Sequence, residues 1–259
     1  IVDVAISTIG AITVPIFPST TPKQEEYIFN NCQAIAVIVS NNYQLNKILG
    51  IVNNVPSIRH IIILDNIEIS DEIAILAKTY DSIIEMGTTL MTQAMRNQII
   101  TQSIWKIKPE DILTIIYTSG TTGEPKGVVL THKNVISNVI ASAETIKFGE
   151  NDVFLSFLPW CHSYERTTGY YAAFYCGAVI ALAESIDTIP ANIKEIQPTL
   201  MTTVPKLLEV IKKRIFSAME KESPFKRKIF SWAIKVGKDY ITSKLKGTIN
   251  PLMKSKYKL

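Results

Sequence analysis

The chain alternates short, wholly apolar runs with amphipathic segments almost to residue 205. "AIAVIVS", "HIIILD", "ILTIIYTS", "DVFLSFLP", "AVIALA" and "TLMTTVP" are too short for helices and too apolar for solvent-facing strands. They read as strands covered on both faces. Between them lie stretches with helical spacing of apolar positions, beginning with "VDVAISTIGA". "ITVPIF" reads as a short strand closed by Pro18. "TPKQEEYIFNNC" opens with Thr21 as N-cap, Pro22 at the first helical position and acids in the first turn, so it predicts a helix. Further helices are predicted from about 42 to 53, over most of 68–104, from near Lys133, over "YERTTGYYAAFYC" and over "IPANIKEIQ". Covered strands alternating with helices indicate an α/β fold, mostly parallel sheets flanked by helices. Three regions are expected: a first α/β region over 1–104, a second over 105–205, and a helical, basic stretch over 206–259.

Charge sharpens that last boundary. From Lys206 onward there are 15 Lys and Arg against 4 Asp and Glu, on a body that is otherwise net acidic. Phe225, Ile229, Trp232, Val236 and Tyr240 recur at spacings of four, three, four and four, with lysines and arginines between them. This predicts an amphipathic basic helix over 225–246, suited either to an anionic membrane surface or to packing on another part of the protein. The longest apolar run, 167–183, holds several tyrosines and a glycine and falls short of a membrane span. Cys32, Cys161 and Cys176 share no short spacing, which suggests a reducing, cytoplasmic setting, no structural zinc and buried thiols. No secretory leader is expected at Ile1, and both ends read as interior to a longer chain.

The chemistry concentrates in "YTSGTTGEPKGVVLTH", where a strand breaks into a hydroxyl-rich loop and resumes as a second strand. Gly120 and Gly123 let backbone N–H groups approach an anion. Thr118, Ser119, Thr121 and Thr122 supply hydroxyls for phosphate oxygens or a cation. Lys126, behind the stiff Pro125, supplies a point charge. A Walker loop would require Gly-Lys-Ser/Thr opening a helix, whereas Lys126 follows proline and opens a strand. No G-x-G-x-x-G fingerprint occurs either. The bland alternative is a Ser/Thr-rich hairpin with no ligand.

"YTSGTTGEPKGVVLTHKN" resembles the signature of the adenylate-forming superfamily. "FLPWCHSYERTTGYYAAFYCGAVIALAE" and "PTLMTTVPKLLEVI" resemble segments of its long-chain fatty acid–CoA ligases, the first following the pattern L-P-x-x-H-x-x-E-R. With the upstream "GAITVPIFPSTTPKQEEYIFNNCQAIAVIVSN", the resemblance covers nearly the whole chain. It implies a partial amino-terminal domain of an enzyme that joins a carboxylate to AMP from ATP with Mg2+, then passes the acyl group to coenzyme A. By resemblance, Thr118 to Gly123 and Lys126 hold the β- and γ-phosphates, Thr118 also holding Mg2+, and Lys126 and His162 act at the reacting centre. Trp160 and Tyr164 are expected at the acyl substrate. Glu165 and Arg166 are expected to form an intrahelical or helix-to-loop ion pair, and Tyr164, Tyr171 and Tyr175 share a helical face at spacings of seven and four that reads as core or, by resemblance, borders the acyl tunnel. The adenine-stacking segment, the ribose aspartate, the hinge and the lysine-bearing C-terminal domain of such enzymes are not found, so a fragment inactive alone is expected. Other carboxylates, aryl or amino acid, remain alternatives, as does a non-catalytic nucleotide-binding remnant. No nucleic-acid partner is expected, and oligomeric state is not readable.

Overall fold

The computed structural model describes residues 1–118 and 123–248. The chain forms two compact units, Ile1–Thr202 and a second beginning at Thr203. In the first, α1 (Val2–Thr8) is followed by an extended segment and α2 (Pro22–Cys32). Thr21 and Gln24 form the reciprocal capping box that starts α2, with Pro22 at its head. There follow β1 (Ala36–Val39), α3 (Asn42–Leu49), β2 (His60–Ile63) and β3 (Ala77–Thr79). These strands form a parallel sheet in the order β1-β2-β3, with Val37 opposite Ile61 and Ile61 opposite Ala77. Phe29, Leu45, Ile48, Val55, Ile61 and Ile63 make its core. Glu25 and Lys47, both buried, pair at 2.7 Å, and Lys47 also donates to the carbonyls of Pro18 and Thr20. That ties the turn before α2 to α3.

Next come α4 (Tyr80–Leu90), α5 (Gln93–Lys106), β4 (Ile112–Thr118), β5 (Lys126–Thr131) and α6 (His132–Ile146). β4 and β5 form an antiparallel hairpin. Thr131 ends β5 and caps α6, accepting from the Asn134 N–H at 3.2 Å. Then follow β6 (Val153–Ser156), a π-helical stretch Glu165–Tyr171 running into α7 (Ala172–Cys176), β7 (Val179–Leu182) and α8 (Ile189–Ile196). β6 and β7 pair in parallel. Leu113, Val135, Val139, Phe148, Phe154, Ala172 and Ala173 form a second core that joins β4, α6, β6 and α7. Phe148 meets Phe154 edge-on at 5.1 Å. The second unit contains α9 (Pro205–Glu220) and α10 (Pro224–Leu245), with Phe216 against Phe230 at 5.3 Å. Among the described residues no helix is long and apolar enough to cross a membrane.

Two sheets are parallel and the hairpin is not, as the mostly parallel expectation requires. Several finer expectations differ. "ITVPIF" and "TLMTTVP" each contribute one bridge, Thr13 to Thr114 and Leu200 to Phe154, instead of a strand. β3 falls inside the segment expected to be helical. Its three residues hold Lys78 and have no run of their own; β2 supplies their hydrogen-bonding partner.

Candidate active site

The hairpin delivers the ends of the hydroxyl-rich loop. Thr118, the last residue of β4, lies opposite Lys126, the first of β5, and its hydroxyl reaches the Lys126 carbonyl at 3.5 Å. Both side chains are exposed. Gly123, on the descending arm, has φ +95, a conformation that side chains resist. Ser119, Gly120, Thr121 and Thr122 lie outside the described residues. The helix that a Walker loop would open is absent here; Lys126 starts β5.

The base of the hairpin is stiff. A side chain at Gly127 would meet the Ile115 Cγ2 at 2.9 Å and the Tyr117 ring at 3.1 Å, so Tyr117 lies across the glycine. The Tyr117 hydroxyl then donates to the Asn31 Oδ1 of α2 at 2.5 Å. Burial, with Cys32 and Tyr27 nearby, pushes that hydroxyl up to about 12. Between α2 and the descending arm is an open cavity of about 560 Å³, lined by residues including Lys23, Tyr27, Asn31, Gly123 and Pro125.

The second motif follows β6. Its end, Ser156, is buried, as is Glu165 at the head of the π-helical stretch. Their side chains meet at 2.5 Å. Residues 157–164, a loop through 162 that then turns helical, form a segment closed at its base by that bond. Trp160 donates from its indole to the Ser156 hydroxyl at 2.8 Å and stacks on Tyr170 at 4.4 Å. His162 is exposed in the loop. Its N–H donates to the Pro159 carbonyl at 3.0 Å and its carbonyl accepts from the Arg166 N–H at 3.0 Å. Its Nδ1 accepts from the Tyr164 N–H at 3.4 Å, so in the neutral ring the proton is on Nε2.

Glu165 and Arg166 do not pair with each other. Arg166 forms a buried ion pair with Asp3 of α1 and donates to the Thr13 hydroxyl at 2.8 Å and the Tyr171 hydroxyl at 2.9 Å. The expectation of a local pair fails because neighbours on a helix point apart. The core-facing tyrosine stripe fails also: Tyr164 and Tyr175 are 46% and 58% exposed, whereas Tyr170 is buried. The stripe was counted on α-helical spacing, but residues 165–171 are π-helical, and the Arg166–Tyr171 bond spans five positions. Burial pushes the Glu165 carboxyl above its usual range, and the Cys161 thiol likewise.

Besides the shared core, Thr13 bridges the two motifs by hydrogen bonds. Thr13 donates its N–H to the Leu113 carbonyl and accepts from the Ile115 N–H, so it lies along β4, while its hydroxyl takes Arg166. Of the expected site residues, Thr118, Gly123 and Lys126 thus share the hairpin, and Trp160, His162 and Tyr164 share the loop after β6. Sequence reading passed over Asp3, Thr13, Ser156 and Gly169. The signals present were a lone serine inside an apolar strand and a glycine four residues after Glu165. Among the described residues no three His, Cys, Asp or Glu side chains gather to hold a metal.

A parallel-sheet α/β body with a hydroxyl-flanked strand–loop–strand hairpin has a solved counterpart. The anthranilate CoA ligase AuaEII, in complex with anthranoyl-AMP, superposes with TM-score 0.60 at 22% identity, over 79% of this chain and 37% of that one. The fold is therefore part of that of the amino-terminal domain of adenylate-forming enzymes. The model of the AMP-binding enzyme family matches residues 1–247, and the chain belongs to that family. Curated relatives include the peroxisomal long chain acyl-CoA synthetase 6 of Arabidopsis thaliana, 31% identical over 90% of this chain and 32% of its own length. Fatty acyl-CoA synthetase B of Dictyostelium discoideum is 36% identical over 73% of this chain and 28% of its own. The chain spans about a third of the length of the curated relatives it matches.

Proposed function

We propose that this chain is the phosphate-handling part of an ATP-dependent ligase that converts a long-chain fatty acid to its adenylate and then to acyl-CoA. The observation that supports this most is the hairpin with Thr118 opposite Lys126, flanking a loop of two glycines and three hydroxyl residues. Negative charge grows on departing pyrophosphate as a carboxylate attacks the α-phosphorus, and fixed donors stabilise it. In this reading Lys126 and the hydroxyls of residues 118, 119, 121 and 122 bind the β- and γ-phosphates, with Gly120 and Gly123 admitting them. His162 donates from Nε2 to oxygen at the reacting centre, since its Nδ1 is taken by Tyr164. Trp160 and Tyr164 border the acyl group.

Mg2+ keeps most of its ligands from substrate phosphate and water, so a single exposed hydroxyl on Thr118 fits it, and it would supply charge neutralisation there. With about a third of the relatives' length present, the chain alone is expected to be inactive. Lys126→Ala in the full-length enzyme should slow ATP–pyrophosphate exchange and leave thioester formation from preformed adenylate less affected. An unchanged exchange rate defeats the assignment. Thioester formation with palmitate, against benzoate and amino acids, separates the fatty-acid reading from its alternatives.

A membrane contact is a second part of the reading. Phe225, Ile229 and Trp232 of α10 are exposed, and Lys226, Lys228, Lys235 and Lys244 flank that stripe. An apolar stripe edged by lysines suits an anionic leaflet, to which each lysine contributes about 1 kcal/mol. Co-sedimentation with vesicles that is indifferent to phosphatidylserine content removes this part.

A further inference from the structure

We propose that Glu165 is a positioning residue for His162, acting by closing the base of the loop that presents it. The inference rests on the reading of His162 as a group at the reacting centre. Three observations carry it. Glu165 is wholly buried and bonds Ser156, the last residue of β6, across the 157–164 loop at 2.5 Å. Ser156 also takes the Trp160 indole, which stacks on Tyr170, so one hydroxyl gathers both strands of the loop. The carboxyl lies over Gly169, where an added Cβ would meet Oε1 at 2.4 Å and Cδ at 2.6 Å. The missing side chain at 169 is therefore what lets Glu165 reach Ser156.

His162 is three residues from Glu165, and its carbonyl is held by the next residue, Arg166. A carboxyl fixed between β6 and the π-helical stretch thus sets where the imidazole stands. The bond needs an acceptor or donor at Oε1 and no charge. Burial raises the carboxyl above its ordinary range, and the hydroxyl that Ser156 donates to Oε1 opposes that shift. Glutamine satisfies the same geometry, whereas alanine does not.

The test has two readouts. In the first, Trp105 and Trp232 are replaced by phenylalanine, leaving Trp160 as the only tryptophan in these 259 residues, excited selectively over tyrosine. Glu165→Ala and Gly169→Ala should shift its emission to the red and raise acrylamide quenching; Glu165→Gln should leave both as in wild type. In the second, ATP–pyrophosphate exchange by the full-length enzyme should fall about 100-fold in kcat for Glu165→Ala and Gly169→Ala with KM for ATP unchanged, and recover in Glu165→Gln. Should Glu165→Ala fail to fold, Ser156→Ala removes the same tie from the strand side and must give the same pattern. Wild-type exchange in Glu165→Ala or Ser156→Ala overturns the inference, as does a Glu165→Gln defect as deep as that of alanine. His162→Ala with undiminished exchange defeats the underlying reading of the histidine instead, whatever Trp160 reports.

Discussion

Replacing Asp3 by alanine tests the network that links α1 to the second motif. Arg166 has a side chain only 5% exposed, and among the described residues Asp3 is its carboxylate partner, itself 22% exposed. The variant leaves the guanidinium buried with two neutral acceptors, the hydroxyls of Thr13 and Tyr171. Breaking a buried pair from one side costs about 3–5 kcal/mol. Partial exposure of Asp3 lets water reach the vacated position, which places the expected cost near the lower end, about 3 kcal/mol. Against a typical total of about 5–15 kcal/mol that is a large share. Urea unfolding followed by Trp160 fluorescence, in the background lacking Trp105 and Trp232, should show a midpoint lowered by about 1 M. Arg166→Met, made alone and together with Asp3→Ala, completes a cycle. The double variant should cost less than the two singles combined, with a coupling of about 0.5–3 kcal/mol. A loss under about 0.5 kcal/mol for Asp3→Ala, the range of ordinary surface changes, refutes the reasoning, as does strict additivity.

Gly127→Ala should displace the Tyr117 ring and cost about 1–3 kcal/mol by overpacking, read in the same unfolding assay. Thr131→Ala removes the cap of α6 and should cost about 1 kcal/mol, with Thr131→Ser restoring most of it. Glu165 carries a carboxyl raised above its ordinary 4.5 by burial, so its favourable share is complete below that value and is lost as pH rises through the raised one. Glu165→Gln escapes that loss, so its melting temperature should gain on wild type as pH rises above the ordinary carboxylate value of 4.5; a constant difference denies the raised carboxyl.

Local chemistry was legible in the sequence, and long-range closure was not. Thr21, Pro22 and Gln24 announce α2 because a cap, a proline and a reciprocal side chain act within four residues. The apolar runs announce β1, β2, β4 and β6, although in β1 and β2 one face is buried and the other only partly covered. The hairpin was readable from Lys126 standing after proline at the head of "KGVVLT". β3 was not, since its strand character comes from β2. The partners of Arg166 were not either: Asp3 and Thr13 lie 163 and 153 positions away, and nothing near 166 points to them. The π-helical stretch defeated the α-period count, which put Tyr164 and Tyr175 on the buried side. At the site, the residues proposed to touch phosphate and the reacting centre are motif residues, whereas the contacts that Ser156, Gly169 and Asp3 make with the second motif appear only once the chain has folded.

The Asp3–Arg166 tie also sets a clock. On the ribosome, α1 is made long before the residue that completes its buried ion pair. At about 5–20 residues per second, the 163 positions between them take about 8–33 s to synthesise. For that interval Asp3 lacks the guanidinium it pairs with in the folded chain. The docking of α1 through Asp3 therefore waits until the second motif has emerged.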